Sequence, residues 1–296
     1  MAGHGHDASI TVWYDTDVMV EHYTSEPYHK YEDVESLKKR FGAPDLVVWY
    51  ENPYLKSIRQ WWAGQKNPFQ RNNVRKILDD LGLDRTRWTW VGHHEAHAAW
   101  ALESPFSPVD KALVFVIDSI GEWDCTSVWK YDGDLTKKAS IRYPDSIGLF
   151  YSSMVKEAKL VPQKDEAHFE SLAATPSPAI KDKIKSDLIL SAGWQPRFSR
   201  NMHRGLGGIY ENFRAEDLAS ATQEIFEELV VNMVEHWVKK TGIKNIILTG
   251  GCAYNKKIRS KIPYTLWVPP RPHDGGSAYS CVLAHNRTAL IYSLDT

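Results

Sequence analysis

The stretch KALVFVIDSIGEWDCTSVWKYDGDLTKKASIRY, residues 111–143, reads as three strands in succession. KALVFVID (111–118) is an apolar run of strand length. CTSVWKYD (125–132) and LTKKASIRY (135–143) follow it, with Gly121 and Gly133 in the turns. β-Branched and aromatic residues favour a pleated, packed surface, and glycine in gaps of a few residues suits turns between neighbouring strands. A three-strand meander is expected here. A similar pattern opens the chain, where ASITVWYD and DVMVEHYT meet at a short Asp-Thr turn. That predicts a hairpin, with too few residues before Ala8 for a full strand.

Both meanders lead into alternating helices and strands. After the first, Val34, Leu37 and Phe41 recur at helical spacing and Gly42 stops the pattern; DLVVWY (45–50) is a buried strand. A polar, proline-containing stretch follows, then a helical face of Val74, Ile77, Leu78 and Leu81, then the strand RWTWVG. After the second meander the clearest helix spans about 216–240, where Ile225, Leu229, Met233 and Trp237 recur and Gly242 closes it. NIILTGG and YTLWVP read as strands, and DGGSAYSCVLAHN opens a last helix. The expectation is an α/β protein of two similar lobes, residues 1–105 and 106–296, with a cleft between them.

Composition narrows the function. Against 36 Lys and Arg stand 37 Asp and Glu over 296 residues, so no global positive charge awaits a phosphate backbone and bulk nucleic-acid binding is not expected. The start MAGHGHDASI has no signal-peptide pattern, and no apolar run approaches the roughly 20 residues of a membrane helix. The expected location is the cytoplasm, without a membrane partner. Cys125, Cys252 and Cys281 are far apart, which argues against a disulfide framework or a thiolate zinc site.

Chemistry concentrates in VGHHEAHAAW (91–100). On a helix His93 and His97 project from one face, with Cβ atoms about 5–6 Å apart. Such a pair can bind one metal ion if carboxylates arrive from elsewhere, or can be structural. His94 points about a hundred degrees away, towards a ligand rather than into the same shell. Asp118, at a strand end, and Asp274, before the last helix, are candidate carboxylates; turn or helix capping is the local alternative for each. In LTGGCAYN (248–255) two glycines join a strand to a helix, which suits a phosphate or nucleotide, or geometry alone. GHDAS (5–9) sets His6 just before the first strand.

GHDAS, HHEAHA followed by SPF, DSIGEWDCTSVW, YPDSIGLFYS, LTGGCAYN and PPRPHDGGSAYSCVLA occur in this order over nearly the whole chain. Together they resemble the N-terminal catalytic domain of the O-carbamoyltransferase family of nodulation and antibiotic-tailoring enzymes. That domain is itself similar to the ATPase-like subunit of tRNA threonylcarbamoyl transferases. The resemblance implies an actin-like/sugar-kinase/Hsp70-type fold with two RNase-H-like lobes. It implies that His93, His97, Asp118 and Asp274 hold a divalent metal, Fe(II) being the expected ion. His6 and His94 become the candidate catalytic or carbamoyl-contacting residues. Gly250, Gly251 and Asn255 would line an adenylate site, and Glu122 would help bind the nucleotide or orient a ligand.

The implied reaction moves a carbamoyl group from carbamoyl-adenylate, formed from carbamoyl phosphate and ATP, to a hydroxyl or amine of a small molecule or nucleotide. A tRNA threonylcarbamoyl-transferase-like subunit and a non-catalytic nucleotide-binding partner are the alternatives. Two departures stand out. The YrdC-like domain of the family is not expected within these 296 residues, and a separate YrdC-like carbamoyl-adenylate-forming protein is the expected partner. In DEAHFESLAATPSP, His168 occupies the family's lysine position.

Overall fold

Strand alternation at the amino terminus produces the expected hairpin. In the computed structural model, which describes residues 2–3, 8–14, 17–24, 31–103 and 110–294, β1 (Ala2–Gly3), β2 (Ala8–Tyr14) and β3 (Asp17–Thr24) pair antiparallel in that order. β1 is two residues long, opposite Ala8 and Ser9, in keeping with the short sequence before β2. Helix α1 (Tyr31–Phe41) carries acids in its first turn and bases in its last, the distribution its dipole favours, and Gly42 ends it at a φ of 85°. β4 (Leu46–Trp49) is followed by α2 (Pro53–Trp62), α3 (Pro68–Arg71) and α4 (Val74–Asp80) before β5 (Arg87–Trp90) returns parallel to β4. β5 then runs into the short helix α5 (His93–Ala98).

The helix α2 lies in the stretch whose polarity suggests no element. Its faces are inverted. Ser57, Arg59 and Gln60 are buried, while Trp61 and Trp62 are 66% and 60% exposed and Tyr54, Leu55 and Ile58 also face outward. Polar bonding replaces apolar packing on the inner face: Asn72 Nδ2 donates to Ser57 Oγ at 3.1 Å and to Gln60 Oε1 at 2.7 Å. Asn52 caps the helix by accepting the N–H groups of Tyr54 and Leu55.

The 111–143 meander forms as β6 (Lys111–Ile117), β7 (Asp124–Asp132) and β8 (Leu135–Arg142). Helices α6 (Ile147–Glu157), α7 (Glu166–Leu172) and α8 (Pro178–Leu188) follow, then the small pair β9 (Ile189–Ser191) and β10 (Arg197–Phe198). The long helix α9 (Ala215–Thr241), β11 (Asn245–Thr249), α10 (Lys256–Lys261) and β12 (Thr265–Trp267) complete the second unit. β11 pairs parallel to β6, so the five strands run β12-β11-β6-β7-β8. β6 is central, and Ala112 to Ile117 are fully buried, which is why its apolar run does not alternate. Ile225, Leu229, Met233 and Trp237 of α9 enter this core as their spacing predicts.

The closing helix α11 (Ser277–Leu294) belongs elsewhere. Met1–Ser107, Gly121–Trp123 and Pro269–Thr296 form one unit, and Pro108–Ile120 with Asp124–Val268 the other. The expected boundary, with all of 106–296 in the second lobe, is therefore corrected at two places. The cause is packing: Ala278, Cys281 and Ala284, small residues three apart on α11, share a core with Val48, Ala96 and Ala99. No helix among the described residues is long and apolar enough to cross a membrane.

Phe115→Ala removes a fully buried ring from the central strand of the five-stranded sheet. Urea unfolding should show a loss of about 3–5 kcal/mol, the usual cost of deleting a core phenylalanine.

Candidate metal centre

The 3.6-residue period of α5 puts His93 and His97 on one face, and both are buried, at 4% and 0% exposure. Ala96, Ala98 and Ala99 let this short segment sink into its unit, since none of them needs space. The two rings lie 4.8 Å apart between centroids. Their Nε2 atoms converge on a single oxygen, Asp274 Oδ1, at 3.2 Å from His97 and 3.5 Å from His93.

Asp274 comes from the turn Asp274–Gly276 just before α11. Helix-start capping, one expectation for this residue, is carried by its neighbour: His273 Nδ1 accepts the Gly275 N–H at 3.3 Å. A Cβ on Gly276 would lie 2.2 Å from Arg271 O and 3.0 Å from Trp100 Cζ2, so this turn folds back more tightly than any side chain allows. The donor atoms of His93, His97 and Asp274 lie within 4.8 Å of one another. Two imidazole nitrogens facing one carboxylate oxygen can be held either by Nε2–H donation to that oxygen or by a metal ion shared among all three groups. Two imidazole nitrogens and a carboxylate oxygen suit a divalent transition metal, so the residues present fit the implied ion.

Neighbouring groups constrain the pair. The Tyr50 ring sits 5.6 Å from that of His93. Burial first, then the Glu51 and Asp274 carboxylates, push the Tyr50 phenol well above its ordinary pKa, so it stays neutral. His94 is buried as well, and Gly121 passes so near that an added Cβ would lie 3.0 Å from Cδ2 of both His93 and His94. Glu122 Oε1 accepts the backbone N–H groups of Asn52 and His93. Both of these contacts are to main chain.

In the second unit Asp118 follows β6, and its Oδ1 accepts the Ser119 N–H at 2.7 Å, the turn-capping bond that is its local alternative role. Glycines crowd around it. A Cβ on Gly148 would lie 2.7 Å from Asp118 O, and one on Gly251 3.2 Å from Asp118 Oδ1. At Gly250, with φ of 88°, it would lie 2.4 Å from Ile117 O. Asn255 is engaged locally: Oδ1 accepts the Ile258 N–H at 3.0 Å, capping α10, and its amide exchanges two hydrogen bonds with Gln223. Burial, with Asp118 adding to it, pushes the Cys252 thiol up, so it is no thiolate nucleophile. His168 lies exposed on α7, and His6 lies outside the described residues.

Residues 12–283 match the family described as the carbamoyltransferase N-terminus. The chain belongs to that family. An uncharacterised protein of Synechocystis is 27% identical over 290 residues, 81% of this chain and 47% of its own length. Nodulation protein NolNO of Sinorhizobium fredii is 29% identical over 217 residues, 68% of this chain and 32% of its own. This carbamoyltransferase-family chain therefore spans about half or less of the curated relatives it matches. Among solved structures, full-length HypF in its phosphate- and nucleotide-bound form has a TM-score of 0.52 at 16% identity, covering 87% of this chain and 41% of its own. Component A of (R)-2-hydroxyglutaryl-CoA dehydratase from Acidaminococcus fermentans has a TM-score of 0.54 at 12% identity, covering 96% and 95%. These identities speak to fold, which is of the actin-like/sugar-kinase/Hsp70 type.

Tyr50, Gly276 and His273 also lie at the site. The Gly275-Gly276 doublet is the local signal for a close backbone approach; nothing local marks Tyr50, which reads as the end of a strand.

Gly250 and Gly133 both have positive φ, but nothing lies within 4 Å of a Cβ at Gly133. Gly133→Ala should cost about 1–2 kcal/mol from backbone strain alone. Gly250→Ala should cost clearly more, because the carbonyl of Ile117 must also move. Paired thermal and urea unfolding of the two variants tests the difference.

Proposed function

We propose that this chain is a metal-dependent carbamoyl-transferring domain that moves a carbamoyl group from carbamoyl-adenylate to a hydroxyl or amine of a small molecule or nucleotide. One observation carries the reading: His93 Nε2 and His97 Nε2 meet at Asp274 Oδ1 within a domain of the carbamoyltransferase family. His93, His97 and Asp274 would hold the ion, Fe(II) by the resemblance, with Asp118 as the further donor that the family pattern suggests. A divalent cation bound there supplies positive charge to a carbonyl or phosphate oxygen.

The chain's own residues supply orientation and dryness. Burial of both imidazoles excludes water from their ring faces, and neutral Tyr50 adds a wall with no competing charge. Gly250 and Gly251 stand in the turn that follows β11, a strand-to-helix junction of the kind whose backbone N–H groups can hold a phosphate. In the transfer, the acceptor atom bonds to the carbamoyl carbon while the bond from that carbon to the adenylate phosphate oxygen breaks. AMP leaves with the electron pair, and the acceptor's proton passes to a base. His6 and His94 are the candidates for contacting the carbamoyl group or taking that proton. A YrdC-like protein that converts carbamoyl phosphate and ATP is the proposed source of the adenylate.

The wild-type chain should bind one divalent ion in equilibrium titration. His93→Ala/His97→Ala should lose more than about 100-fold in affinity, beyond the effect typical of residues around a metal shell, with the circular dichroism spectrum unchanged. With Fe(II), carbamoyl phosphate, ATP and a YrdC-like enzyme, mass spectrometry should then find a carbamoylated acceptor. A chain that binds metal yet carbamoylates nothing in a broad set of hydroxyl and amine acceptors rejects the transferase reading.

A further inference from the structure

Two backbone N–H groups and one carboxylate oxygen meet where the parallel pair β4–β5 ends. The strands run in register, Trp49 opposite Trp90, so the residues three positions beyond each, Asn52 and His93, sit at equivalent places on adjacent segments. Both stand where strand gives way to helix, and the first N–H groups of a helix have no partner within it. Glu122 Oε1 accepts both, at 2.7 Å from Asn52 N and 2.9 Å from His93 N. The Glu122 side chain is 8% exposed, so water competes little for these bonds.

Helix α5 cannot cap itself, because its cap residue is Gly92, which has no side chain to accept an N–H. The carboxylate of Glu122 does so from another segment. Beside it, Gly121 leaves room for His93 and His94 to press against the main chain. Gly121 and Glu122 thus act on α5 together: one admits the histidine rings and the other holds the first N–H.

We propose that Glu122 is a positioning residue for the metal pair. By tying the start of α5 to the start of α2, it fixes the direction from which His93 Nε2 meets Asp274 Oδ1. Its charge also suits two helix starts, where negative charge is favoured. The inference rests on the metal reading above and adds a residue that acts through the main chain of His93.

Cobalt(II) is the probe. Wild type, Glu122→Ala and Glu122→Gln are titrated with it, following the visible absorption bands and competition with a chelator. Glu122→Ala should bind about 10-fold more weakly or worse, as for the loss of other groups that orient metal ligands, and its cobalt bands should shift. Glu122→Gln keeps an oxygen for both N–H groups and should stay close to wild type. A purely structural role would lower the melting temperature of Glu122→Ala but leave its cobalt bands and affinity unchanged; that result overturns the proposal. If Glu122→Ala does not fold, Glu122→Asp decides, because it keeps the charge while withdrawing the oxygen. It must bind cobalt more weakly than Glu122→Gln, and the reverse order overturns the proposal. A wild type that binds no cobalt removes the metal reading and this inference with it. A wild type that binds normally beside an equally tight Glu122→Ala defeats the inference alone.

Discussion

The contact between two buried imidazoles and one carboxylate oxygen is the constraint around which the first unit is arranged. Burying ionisable groups is costly unless they are paired, so His93, His97 and Asp274 must be brought to one point and held there. Each supporting feature contributes to that placement. β5 delivers α5 at the right height, alanines let α5 sink inward, and small residues on α11 let the closing segment carry Asp274 to the same place. Gly276 and His273 shape the turn that carries Asp274.

The second unit solves a different problem with similar means. Its fully buried β6 anchors a five-stranded sheet, and the chain end of that strand is crowded by main chain rather than side chains. Gly148, Gly250 and Gly251 all lie where a Cβ would press on Ile117 or Asp118. Glycine at these three positions is what lets the segments pack against the strand end without a side chain between them. The chain is similar in sequence to a nodulation protein and shares its fold with low-identity structural neighbours.

Much of this could be read locally. β6 to β8, β11, α4 and α9 stand where run length, alternation or four-residue spacing put them. His93 and His97 were legible as a pair because helical spacing is a property of the chain itself. The helix α2 was not legible, since it reverses the usual rule: its buried face is polar, with Ser57 and Gln60 bonded to Asn72, and its tryptophans point outward. Periodicity arguments assume that apolar residues mark the inside, and here that assumption fails.

The sequence by itself determined the α/β class, the two meanders, the histidine pair and, through six ordered motifs, the family. Only the tertiary structure decided that 269–296 returns to the first unit, that Asp274 serves the histidines while His273 caps, and that Glu122 is spent on two backbone N–H groups. The reason is physical. Secondary structure follows from patterns within a few residues, whereas these three outcomes depend on which distant segments can approach closely enough to pack or to share a hydrogen bond. Ala278 against α5 and Glu122 against His93 are separated along the chain by far more than any local pattern spans.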